Sequence, residues 1–177
     1  MTGWPAEVRL TGDGLVLRGW TDDDVPAMVT LFDNPAVGRY TSLVTPFDKA
    51  AAVAYLERAR RRHANGEAVQ LAITEGDDQP LGEVLMFREN AAAEGIELGY
   101  SVGPAYRGRN LGSRALRLLT AYALELGLEP LTLQIEAENL ASEAVAGKSG
   151  YRLSEQPPIH ETSKGRRITL RVWQHQG

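Results

Sequence analysis

The chain has 177 residues, 43% of them apolar, and a formal net charge of −4. Such a length suits one domain with a sizeable core, and the acidity disfavours bulk nucleic-acid binding. The absence of cysteine excludes disulfides, thiolate zinc sites and a cysteine nucleophile. His63, His160 and His175 are far apart and lack ligand spacing, so no metal is expected. No apolar run is long enough to span a bilayer, and the first residues show no secretory pattern. A soluble cytoplasmic protein with no membrane partner is the expectation.

Leu15 to Trp20 reads as a first strand. Thr21 before Asp22, Asp23 and Asp24 reads as a helix N-cap, and Val25, Met28, Val29 and Phe32 recur at helical spacing. Asn34-Pro35 is expected to stop that helix. Arg39 to Phe47 reads as irregular; its Tyr40, Thr41 and Ser42 suit either a pocket wall or a plain connector. Asp48 caps a second helix, Lys49 to about Ala64, with Gly66 past its end. Val53, Leu56 and Ala59 or Arg60 mark its expected inner stripe. Arg58, Arg60, Arg61 and Arg62 read as a solvated basic face; they lack the aromatic interleaving of a nucleic-acid binder.

Val69 to Thr74, Leu81 to Phe87 and Ile96 to Val102 are strands joined by short turns at Glu75 to Pro80 and Asn90 to Gly95, which predicts an antiparallel meander. A loop with Arg107, Gly108, Arg109 and Asn110 then leads into a helix from Leu111 to about Leu126. Its apolar face is Leu111, Ala115, Leu118, Leu119, Tyr122 and Leu126. A basic, glycine-containing loop before a helix N-terminus is a recipe for an anion site, because the first-turn N–H groups have no internal partner. Gly108 and Gly112 leave the backbone approachable, and Arg107 and Arg109 add forked donors. Leu131 to Glu136 is the next strand, and a parallel pairing would make a crossover unit with ligands at the strand C-terminal ends. A short helix from Asn139 to Ser149, a strand from Tyr151 interrupted at Pro157-Pro158, and a last strand, Arg167 to Trp173, complete a single α/β domain.

Taken together, LRGWTDDDVPAMVTLFDNP, LAITEGDDQPLGEV, IELGYSVGPAYRGRNLGSRAL and IEAENLASEAVAGKSGYRL resemble the GNAT N-acetyltransferases, most closely the RimJ/RimL-like branch. The resemblance covers most of the chain. It implies a mixed central sheet of about seven strands with an antiparallel N-terminal meander, about four flanking helices, and a V-shaped splay between the fourth and fifth strands. In the family's loop pattern Arg107 and Gly112 match, while Asn110 stands where glycine is usual; asparagine tolerates left-handed backbone. The tyrosine many members carry seven residues after the asparagine matched by Asn139 is Ala146 here. Ser142 fits the serine of the RimJ/RimL-like branch.

The resemblance implies acetyl-CoA as donor and an amine as acceptor, either a protein or peptide N-terminus or a small molecule. The diphosphate would lie on the amides of Arg109 to Ser113. The pantetheine would pair with the backbone of Ser101 and Val102, the Val102 amide would stabilise the oxyanion, and Asn139 would bond the pantetheine or order the site. Glu97 is the first candidate for general base and Glu83 the second; Ser142 would serve the leaving thiolate, or only cap its own helix. A non-catalytic acyl-CoA-binding module is the alternative. The family implies a homodimer, for which the apolar strand Ile168 to Trp173 is an expected pairing edge.

Overall fold

The computed structural model describes residues 4–88 and 95–177. Among these, nine strands form one mixed sheet in the order β1-β2-β3-β4-β5-β6-β9-β7, with β8 also on β9. The strands are β1 (Arg9–Gly12), β2 (Leu15–Gly19), β3 (Ala68–Thr74), β4 (Gly82–Phe87), β5 (Ile96–Val102), β6 (Leu131–Glu136), β7 (Tyr151–Leu153), β8 (Ile159–Ser163) and β9 (Arg166–His175). The α-helices are α1 (Val25–Phe32), α2 (Pro35–Tyr40), α3 (Lys49–Ala64), α4 (Leu111–Glu125) and α5 (Leu140–Lys148). No helix among the described residues is long and apolar enough to cross a membrane.

The mixed α/β architecture and the meander are as expected, with additions. The strand count exceeds the expected seven or so because β1 adds an edge and the segment after Tyr151 divides into β7 and β8 at its prolines. The extra helix, α2, comes from Asn34-Pro35. Instead of only ending α1, Asn34 caps α2 by accepting from the Val37 N–H at 3.0 Å, and Pro35 takes the first helical position. The turn expected at Asn90 to Gly95 falls, apart from Gly95, outside the described residues.

All neighbouring strands from β1 to β5 pair antiparallel, whereas β5 and β6 pair parallel. A crossover through α4 joins those two, the connection for which a right hand is the rule. The register of the parallel pair is short. It holds only Ile96 to Leu131 and Glu97 to Thr132, so β5 and β6 diverge beyond Glu97.

Each sheet face has its own core. One gathers Leu17, Leu71, Val84, Met86, Leu98 and Leu133 under Leu111, Ala115, Leu116 and Leu119 of α4. The other packs Met28, Leu31 and Phe32 of α1, Val37 of α2, and Tyr55 and Leu56 of α3 around Phe47 and Ala72. On α3 Leu56 is buried as expected, but Ala52 and Tyr55 complete the buried stripe and Val53 is exposed. Tyr55 takes the inner place because its ring packs on Phe32 and Phe47 while its hydroxyl finds a buried partner. On α4, Leu116 is fully buried and Leu126 is exposed, again a rotation of the stripe.

The expected pairing edge at Ile168 to Trp173 is corrected by the topology. β9 lies inside the sheet, with β6 on one side and β7 and β8 on the other. Its backbone is spent on these ladders, and the sheet edges are formed elsewhere, at β1 and at β7 and β8.

Candidate active site

The divergence of β5 and β6 leaves backbone groups of β5 open. Which ones follows from strand parity, since successive residues direct their N–H and C=O to opposite sides. The Ile96 N–H bonds Pro130 O, beside the start of β6, at 2.9 Å, and the Gly103 N–H bonds Leu81 O, on the β4 side, at 2.9 Å. Hence Leu98, Tyr100 and Val102 turn their backbone groups toward the β6 side, whereas Gly99 and Ser101 spend theirs on β4; the Leu98 N–H still serves the Glu97–Thr132 step of the ladder, so the open groups are the Leu98 carbonyl and those of Tyr100 and Val102. The expectation for the Ser101 backbone is thereby corrected. Val102 faces the gap, and so does Tyr100, which sequence reasoning missed; the period-two alternation from Val102 was the available signal.

After Val102 the chain makes a 3₁₀ turn at Pro104–Tyr106 and then the basic loop. Gly108 has φ +80° and Asn110 has φ 56°, ψ 22°. Asn110 therefore occupies the left-handed region that its residue type was expected to tolerate, which removes one reason for reading the chain as a non-catalytic module. No side chain caps α4, so the N–H groups of its first turn are free of a side-chain acceptor. Gly112 and Ser113 are buried; a Cβ at Gly112 would meet Val102 and Val145 at 3.6 Å and Tyr100 at 3.7 Å, ordinary contacts. Arg107 is exposed and its Nε reaches back to Val102 O at 3.4 Å. Arg109 is ion-paired with Glu75.

Across the gap stands α5. Asn139 caps it, its Oδ1 accepting from the Ser142 N–H at 3.2 Å. Its Nδ2 and the Ser142 Oγ make no hydrogen bond among the described residues. The Tyr100 hydroxyl donates to the Ser142 carbonyl at 2.6 Å. The ends of β5, α4 and α5 thus bring together Val102, Gly112, Ser113, Asn139 and Ser142, with Arg107, Gly108, Arg109 and Asn110 at the rim.

The two candidate bases lie on the other sheet face. Glu97, Gly99 and Ser101 alternate with Leu98 and Tyr100, and Glu83 is cross-strand from Ser101. Glu97 is half-buried at the point where the strands part. Glu83 is buried, accepting from Trp20 Nε1 at 2.7 Å and Tyr55 Oη at 2.5 Å. Burial pushes its carboxyl up to about 7, against the opposing pull of these donors and the Arg58 charge. Both its oxygens are occupied, so it cannot meet an incoming amine without the packing opening. Glu97 and Val102 are five residues apart on an extended strand, roughly 16 Å. That is too far for one reacting carbon to touch a Val102 oxyanion donor and a Glu97 base; the open N–H group at Tyr100 is nearer.

A family description, acetyltransferase (GNAT) domain, matches residues 14–152. The chain belongs to the GNAT acetyltransferases. It is 24% identical over 145 residues to the uncharacterized N-acetyltransferase YoaA of Bacillus subtilis (strain 168), covering 81% of this chain and 82% of that one. Among solved structures, it is similar to the Salmonella typhimurium acetyl transferase that modifies the N-terminal serine of 50S ribosomal subunit protein L7/L12. That match has a TM-score of 0.81 and 17% identity, over 95% of this chain and 98% of that one. It is also similar to the microcin C7 self-immunity acetyltransferase MccE in complex with acetyl-CoA and AMP, with a TM-score of 0.79 and 16% identity over 92% of each chain. At these identities the structures speak for the fold, and the GNAT splay is the gap between β5 and β6.

The open side of this GNAT splay has a second feature that the sequence did not announce. The β8–β9 turn reaches α2: Lys164 Nζ donates to Gly38 O and Leu43 O, each at 2.5 Å. Arg166 grips Glu136, the last residue of β6, at 2.5 and 2.9 Å, and its charge holds that carboxyl below the usual range. Arg39 to Phe47 is therefore more than a connector, since it holds the last two residues of α2 and receives this turn at Leu43.

Proposed function

We propose that the chain is an acetyl-CoA-dependent N-acetyltransferase that moves an acetyl group directly to a primary amine. The observation that carries this is the coincidence, in a GNAT chain, of an open backbone row at Tyr100 and Val102 with an uncapped α4 N-terminus beside it. The donor set fits coenzyme A: amide groups for the pantetheine, and free helix N–H groups with Arg107 and Arg109 for the diphosphate. When bound, acetyl-CoA supplies the activated acyl group.

The roles of the chain's own residues follow. Val102 pairs with the pantetheine amides, with Asn139 Nδ2 opposite. The Tyr100 N–H takes the charge that develops on the carbonyl oxygen. An ammonium cannot attack a thioester, so Glu97 accepts the amine's proton, through a water where the amine stands beyond direct reach. Ser142 Oγ, held over the gap by Asn139 and Tyr100, gives a proton or hydrogen bond to the leaving thiolate. Without cysteine the transfer has no cysteinyl stage, and donor and acceptor occupy the site together. A protein or peptide N-terminus is the favoured acceptor, supported by the Salmonella typhimurium neighbour; a small amine is the second reading, supported by the MccE neighbour.

Thermal unfolding with and without acetyl-CoA tests the donor. At a hundred times its dissociation constant a ligand adds about 2.7 kcal/mol, a midpoint shift on the order of 5–10 °C for this size. The shift is expected for the wild type and lost in Arg107→Ala/Arg109→Ala. No shift at saturating acetyl-CoA would remove the reading.

A further inference from the structure

The turn between β3 and β4 brings Glu75 against the first turn of α4. Its carboxylate pairs with Arg109, the residue before the N-cap, and with Arg114 Nη1 at 3.3 Å. Arg114 is where the helix ladder begins, its N–H bonding Asn110 O at 3.0 Å. Glu75 therefore spans the turn whose amides, Leu111 to Ser113, come before the ladder. The acetyl-CoA reading places the diphosphate on that same turn, and the present inference rests on it.

The two arginines are not held alike. Arg114 has other anchors: its Nε and Nη2 donate to Asp13 O at 2.9 and 2.5 Å. Arg117 in turn holds the Asp13 carboxylate at 3.0 Å. Arg109 has Glu75 alone among the described residues. Removing the Glu75 charge would leave Arg114 in place and release Arg109.

We propose that Glu75 is an internal counter-anion that competes with the phosphates of coenzyme A for Arg109 and so limits how tightly the cofactor is held. Two effects point the same way. Glu75 occupies the guanidinium that the phosphates need, and its own charge has the sign of theirs. The consequence concerns release. The product, CoA, carries the same phosphates as acetyl-CoA, so an anion site at full strength would retain the product after each turnover. Glu75 shortens that residence.

The test is titration calorimetry of CoA into the wild type and Glu75→Gln, with Glu57→Gln on the exposed side of α3 as a matched charge change elsewhere. Glu75→Gln is expected to bind CoA about five- to tenfold tighter, the size of one like-charge contact at about 4 Å screened by water. Glu57→Gln should match the wild type. Pantetheine, which has no phosphate, should bind wild type and Glu75→Gln alike. In an Arg109→Ala background the gain from Glu75→Gln should fall below about twofold, because the released cation is then missing. Unchanged or weaker CoA binding by a folded Glu75→Gln, or an equal gain for pantetheine, overturns the proposal. If Glu75→Gln does not fold, Arg109→Ala decides alone: the proposal requires that it weaken CoA binding and leave pantetheine binding unchanged. Failure of the wild type itself to bind CoA removes the acetyl-CoA reading together with this one, whereas wild-type binding with no gain in the variant removes this one only.

Discussion

Tyr100 and Ser142 meet across the gap between β5 and β6, the phenol donating to the Ser142 carbonyl at 2.6 Å. On the other side of the same residue, Asn139 Oδ1 accepts from the Ser142 N–H at 3.2 Å. The backbone of Ser142 is thus held from both directions, which positions its hydroxyl. Tyr100→Phe removes one of the two donors to that carbonyl, the other being the Ala146 N–H within α5, at a cost of about 0.5–1.5 kcal/mol. Its expected kinetic signature is a drop in kcat of about three- to tenfold with little change in the KM for acetyl-CoA, read from thiol release. A variant that loses stability but keeps kcat would show that Tyr100 only packs.

Glu83 gives a pH dependence. Burial raises its carboxyl from 4.5 to about 7, so the folded protein binds this proton more tightly than the unfolded chain does. Ionisation then opposes folding. The loss begins as pH rises above about 4.5 and is complete once pH passes about 7. Glu83→Gln cannot ionise and should be more stable than the wild type at pH 8, by about 1–3 kcal/mol after allowance for a poorer bond to Tyr55. The advantage should vanish near pH 4.5. Urea unfolding at both pH values decides; parallel curves for the two proteins would contradict the account.

The loop before α4 depends on two left-handed residues, Gly108 at φ +80° and Asn110 at φ 56°. Asn110→Gly should keep CoA affinity within about twofold, since glycine adopts this conformation freely. Asn110→Val should cost about 1–2 kcal/mol and weaken CoA binding, because a β-branched side chain clashes there. Calorimetry with CoA separates the two. Equal affinities for glycine and valine at this position would mean the loop shape is not what binds.

The order of elements was largely legible because its signals are local. Asp48 caps α3 as read, and the two-residue turn at Lys164-Gly165 stands where the hairpin demands it. The misreadings have physical causes. Asn34-Pro35 serves equally as a stop and as an N-cap with proline following, and only the Val37 contact shows which. The α3 stripe shifted because Tyr55 is amphipathic and finds Glu83 and Gln70 inside the core. The sequence placed the loop before α4 and the α5 cap at Asn139, and the fold brings both to the end of β5. Ser101 was misassigned because which strand takes its amide is a matter of register, and β9 became an interior strand through pairings distant in sequence.

Amine acetylation with Glu97 as base stands or falls on one experiment. Its most direct measurement is amine-dependent CoA release from acetyl-CoA, with mass spectrometry of the product, over a panel of peptide N-termini and small amines. The wild type is expected to release CoA and yield a singly acetylated amine. Glu97→Gln should bind acetyl-CoA as the wild type does and lose about a hundredfold in kcat. A wild type that binds acetyl-CoA yet acetylates no amine in the panel, or a Glu97→Gln enzyme at full rate, would contradict it.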